Sequence, residues 1–146
     1  MILPITLTIA GAAALLNIWI ARRVGQMRLT NKISIGDGGH PGLTARMRAH
    51  ANFVEYTPFF LILLALIELA VGSKVWLWVV AVLFILGRIA HAFGMDRPSS
   101  DRLRLRMAGV IITMLVLLGL ALYAIALPYL HQPRKPSITY AAVQPL

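Results

Sequence analysis

Arg48, Asn52 and Glu55 stand at i, i+4 and i+7, and after Pro58 an apolar run carries on to Leu69. On an α-helix these three side chains fall within about 60° of one another, so they form one polar stripe. A charged stripe at the mouth of an apolar helix is costly in a bilayer and marks a functional site by default. Its chemistry is that of a holder for a small zwitterion. Arginines take a carboxylate or phosphate in bidentate fashion, and Glu55 takes an ammonium.

Further polar residues belong with the stripe. Arg88, His91 and Met95 stand at i, i+3 and i+7 on a third apolar segment, and Arg104 and Arg106 open a fourth. Tyr56 adds a phenolic donor beside Glu55, and Pro58 is expected to loosen the helix there. Pairing Glu55 with Arg48 or Arg88 would offset its desolvation. All these groups lie at the same end of their segments, so they are expected to converge on one pocket at the membrane boundary. Arg22, Arg23, Arg97 and Arg102 read as helix anchors, and Glu68 as an interfacial residue. No Gly-rich phosphate loop is present. The four histidines lack the spacing of a zinc helix and no cysteine occurs, so no metal site is expected.

The elements that must position these residues follow from composition. The 146-residue chain is 59% hydrophobic and 13% charged, with a mean hydropathy of +0.78. Soluble domains carry about 25% charged residues. The fold class is therefore all-α: an integral membrane four-helix up-down bundle. Spans are expected over about 2–21, 44–70, 75–93 and 105–130, each long enough for a hydrocarbon core of about 30 Å. Residues 1–131 form one membrane domain, and 132–146, with three prolines from Pro133 onward, a flexible tail. The first segment lacks the basic start of a cleavable signal and reads as a retained span. Val24–Leu43 reads as an irregular Gly-rich loop.

The net charge of +9 is distributed unevenly. Eleven Lys and Arg residues fall on the side of the first and third loops, and only Lys74, Arg134 and Lys135 on the other. By the positive-inside rule both loops are cytoplasmic, both termini external, and the stripe lies near the cytoplasmic face. The positive charge thus serves topology, and nucleic acid is not expected as a partner. A bacterial inner membrane is the expected location.

Arg-Ala-x-x-Asn-x-x-Glu-Tyr-x-Pro at Arg48–Pro58 resembles the second-helix signature of the MAPEG family, membrane-associated proteins in eicosanoid and glutathione metabolism. Gly87-Arg88-x-x-His91 is similar to the third-helix motif of prostaglandin E synthase, and Ala21-Arg22-Arg23 to the first-helix end of leukotriene C synthase. The resemblance covers nearly the whole chain. It implies a homotrimer that binds glutathione as co-substrate between subunits. Arg48, Asn52 and Glu55 would hold the tripeptide, with Glu55 on its α-amino group. His50, Tyr56, Arg22, Arg88 and His91 would complete the cradle. Arg104 or Arg106 would stabilise the thiolate, Arg104 being preferred. Two departures stand out: Met95 replaces a tyrosine found in several relatives, and Ala45 an arginine, with Arg46 one place off.

The expected function is a glutathione-dependent transferase or peroxidase acting on lipophilic electrophiles supplied by the membrane. A thiol near its ordinary pKa is mostly protonated at neutral pH, and a nearby guanidinium favours the reactive anion. The alternative is a non-catalytic module binding a lipid or partner protein at the same site. A four-span exporter fits poorly, because Ile2–Ala21 carries no acid.

Overall fold

The computed structural model describes residues 2–96 and 100–130. Within them run four helices: α1 (Pro4–Thr30), α2 (Pro41–Val71), α3 (Val75–Gly94) and α4 (Ser100–Leu130). The expected C-terminal tail and Arg97 lie outside the described residues. Each helix is long and apolar enough to cross a membrane. Successive helices run in opposite directions. α1 packs along α2 and α3 along α4, and α2 and α3 each touch all the others; among the described residues α1 and α4 do not meet.

The core lies at the end carrying the α2–α3 turn. Ile5 and Ile9 from α1, Phe60 and Leu64 from α2, Leu77 and Phe84 from α3 and Leu120 from α4 are buried together. The Phe60 and Phe84 rings stack with centroids 3.8 Å apart. Most outward residues, among them Leu15, Phe59, Leu86 and Leu118, are large, apolar and exposed. Lipid tails are as apolar as these side chains. Helix association therefore rests on packing and on interhelical hydrogen bonds rather than on escape from water.

Glycine sets the α3–α4 distance. A Cβ on Gly109 would lie 2.5 Å from the Gly87 carbonyl oxygen, and one on Gly94 would lie 2.4 Å from the Arg106 nitrogen. Only the missing side chains allow this approach. α2 continues through Pro58 without a break, although proline lacks the N–H that would bond to the Val54 carbonyl.

The loop between α1 and α2 is shorter than expected. Helix continues from Arg22 to Thr30, because Arg, Gln, Met and Leu there are good helix formers and need no apolar partner. Lys32 then turns left-handed (φ 55°), and the Ile33 N–H reaches the Arg28 carbonyl at 2.9 Å, closing the helix in Schellman fashion. His40 Nδ1 caps α2 through the Leu43 N–H. The Gly39 N–H and the Thr44 hydroxyl both donate to Asp37, holding its carboxyl below the ordinary aspartate value.

Glu68, read as interfacial, is buried against the start of α1 near the end of α2. It is 1% exposed, and its carboxylate accepts the Ile5 N–H (3.1 Å), the Thr6 N–H (2.8 Å), and the Thr6 and Ser73 hydroxyls (both 2.7 Å). A carboxylate from α2 thus caps the N-terminus of α1, where orphan amides and the helix dipole favour negative charge. Glu68→Ala is expected to cost about 2–3 kcal/mol and Glu68→Gln about 1 kcal/mol, since the amide keeps one acceptor. Thermal unfolding in detergent checks both the loss and the order.

Candidate functional site

Arg88 is the largest fully buried side chain, at 1% exposure. It sits two turns from the C-terminal end of α3, where the Gly87–Gly109 approach leaves no room for lipid. One Nη donates to Asn52 Oδ1 on α2 at 2.8 Å, and the other to Thr113 Oγ1 on α4 at 3.4 Å. Thr113 in turn donates to the Gly109 carbonyl at 2.8 Å. The guanidinium also lies 5.9 Å from the Phe53 ring centroid. A single arginine thus ties three helices together. Its Nε has no hydrogen-bond partner among the described residues.

The stripe on α2 divides around this tie. Asn52 turns toward α3, while Arg48 and Glu55, 40–60° round the helix from it by geometry, are exposed. Among the described residues neither makes an ion pair, so the expected pairing of Glu55 with Arg48 or Arg88 is not formed. Arg88 reaches the Asn52 carbonyl instead, and Glu55 acts on it only through space. Tyr56 is half-buried and also acts on Arg88 through space. His50 points the other way, with Nε2 2.9 Å from Asn17 Oδ1 on α1, and stands apart from the stripe.

On α4, Arg104 and Arg106 are both exposed, and so is Arg22 on α1. The backbone of Arg106 packs against Gly94 and the buried His91. Arg104, two residues earlier, projects about 200° away from that contact. His91 Nδ1 is buried without a hydrogen-bond partner among the described residues. Met95 caps α3, its N–H donating to the His91 carbonyl at 3.1 Å.

The expected convergence is therefore partial. Asn52, Arg88 and His91 come together inside the bundle. Arg22, Arg48, Glu55, Arg104 and Arg106 are exposed. A shallow groove of about 310 Å³ runs between α1 and α2 beside Asn17, Phe53, Thr57 and Pro58.

Two features escaped sequence reasoning. Thr113 is the lone hydroxyl in the apolar run 107–122, a signal that was legible but unused. Asp96, just past α3, collects three arginines. Arg23 of α1 hydrogen-bonds to it, Arg46 Nε of α2 stands 3.4 Å away, and Arg102 Nη1 of α4 stands 3.5 Å away. Arg46 also donates to the Arg23 carbonyl, and Arg23 to that of Ala92. Arg23 stacks on Trp19, 4.5 Å from its centroid. Arg23 and Arg102 are thus more than the membrane anchors expected of them.

Comparison with known proteins gives a consistent picture. A model of the MAPEG family matches residues 6–126. Inner membrane protein YecN of Escherichia coli strain K12 is 30% identical over 83 residues, covering 56% of this chain and 63% of the relative. The protein of the same name from E. coli O6:H1 matches equally. The chain thus spans less than two thirds of the length of the curated relatives it matches.

The Arg88 tie makes a stability prediction. Asn52→Ala removes the shorter of the two acceptors of a buried guanidinium and is expected to cost about 1.5–3 kcal/mol. Adding Asn52→Ala to an Arg88→Met background should cost much less, and a double-mutant cycle on thermal unfolding measures the difference.

Proposed function

The chain belongs to the MAPEG family, and from that premise we propose that it is a glutathione-dependent transferase or peroxidase whose site is completed between neighbouring copies. The family comprises membrane-associated proteins in eicosanoid and glutathione metabolism, and this chain is a multi-pass membrane protein of that group. A homotrimer in a bacterial inner membrane, with the termini outside and the site near the cytoplasmic face, is the assembly proposed. The YecN similarity supports the membrane, and the eleven-to-three charge asymmetry supports the orientation.

One observation carries the reading. Arg48, Glu55 and Arg104 lie on membrane-length helices, are exposed in the single chain, and have no ion pair among the described residues. Ionisable groups within membrane-spanning helices are rare and mark sites that meet a partner or a ligand. A second copy carrying the same outward groups, with a zwitterionic tripeptide between them, meets both needs.

The residues fit such a ligand. Arg48 matches a carboxylate and Glu55 an ammonium. Asn52 has its carbonyl committed to Arg88 and offers its NH₂ group. The orphan His91 Nδ1 is a buried polar atom in want of a partner. Tyr56 follows Glu55 on α2, and Arg22 on α1 is exposed. Arg104, turned away from α3, is the guanidinium that favours the thiolate; Arg106 is engaged with α3. Desolvation at the boundary strengthens that effect, and a lipophilic electrophile arrives through the membrane, with the α1–α2 groove available for its apolar part.

Adding glutathione to the purified protein is expected to raise the ultraviolet thiolate absorbance. Arg104→Ala should abolish the band and reduce turnover of an aryl halide by about 10²-fold, the scale of losing one preorganised donor to a developing anion. Arg106→Ala should leave the band in place. Glutathione binding with neither thiolate nor turnover would select the non-catalytic module instead.

A further inference from the structure

Asp96 is the meeting point of four helices. It follows α3 directly, and its carboxylate takes Arg23 from α1, Arg46 from α2 and Arg102 from α4. The group is half-sheltered: the Asp96 side chain is 16% exposed and that of Arg23 12%. Arg23 feels the repulsion of both Arg46 and Arg102, and the carboxylate standing between the three guanidiniums offsets it.

The first turn of α4 depends on this arrangement. Arg102 reaches back to α3 twice, to Asp96 and to the Phe93 carbonyl at 3.1 Å. One turn later the Arg106 backbone is seated on Gly94. Residues 102 and 106 thus pin one face of α4 to α3, and Arg104 lies between them on the opposite face. Any rotation or fraying of this turn moves Arg104 directly.

We propose that Asp96 is a positioning residue that, by gathering Arg23, Arg46 and Arg102, sets the rotation of the first turn of α4 and hence the outward aim of Arg104. The inference rests on the thiolate role proposed for Arg104. Asp96 itself touches no substrate. Removing its charge leaves three like charges without their common counter-ion, and Arg102 is then driven off α3. The groups that hold the tripeptide, Arg48, Asn52 and Glu55, lie on α2 and do not depend on that turn.

The test compares wild type, Asp96→Asn and Asp96→Glu by glutathione titration of the thiolate band, aryl halide kinetics, and hydrogen exchange over residues 100–106. Asp96→Asn is expected to lower kcat and the saturating band by about tenfold or more, as misplacement of a catalytic charge does, with KM for glutathione within about twofold. Exchange at 100–106 should rise, and Asp96→Glu should restore all three. An unchanged band and unchanged exchange in Asp96→Asn overturns the proposal. So does a parallel loss of glutathione affinity and helicity that Asp96→Glu fails to rescue, which marks a purely structural role. Absence of the band in wild type itself is a different failure, that of the glutathione reading beneath it.

Discussion

A guanidinium in a helical membrane bundle must find acceptors, and this requirement organises the molecule. Arg88 is wholly buried, and its ion–dipole contacts to Asn52 and Thr113 bind α2, α3 and α4 at one level. Those contacts need α3 and α4 to lie almost backbone to backbone, which the bare Cα atoms of Gly87 and Gly109 permit. Moving the helices apart would strand a charge in hydrocarbon. Replacing the charge would remove the reason for the polar residues opposite it.

The same rule recurs at both ends of the bundle. At one end Glu68 meets the amides of Ile5 and Thr6; at the other Asp96 meets Arg23, Arg46 and Arg102. Two of the chain's five acids are thus spent on joining helices that lipid cannot squeeze together. Against this background the outward charges of Arg48, Glu55 and Arg104, without an ion pair among the described residues, are conspicuous. Asn52, Glu68 and Thr113 find their hydrogen-bond partners on other helices, whereas Arg88 Nε and His91 Nδ1 have none among the described residues.

Much of the architecture was legible because a bilayer imposes strong rules on sequence. Four apolar segments of membrane length, separated by Gly, Pro and charge, leave little choice but a helical bundle. The Arg48–Asn52–Glu55 stripe was legible from its spacing, and its resemblance to a family signature agrees with the match over residues 6–126. Partnerships were less so. Glu55 reads as the natural counter-ion of Arg88, yet the neutral Asn52 takes that place, because a 60° rotation on α2 decides which of them faces α3. Glu68 reads as an interfacial acid, and nothing local reveals that the start of α1, more than sixty residues away, rests on it. Asp96 is one acid among many arginines until the fold brings three of them to it.

The central claim is that the outward charges of one copy are completed by another. Mixing subunits tests it most directly: Arg48→Ala and Arg104→Ala chains are each purified alone and also co-assembled, and glutathione-dependent turnover is measured. If the holding and activating groups of one site come from different copies, each parent is inactive and the mixture regains activity, through sites in which both intact residues meet. Turnover in the mixture no higher than in the separate parents would contradict the account.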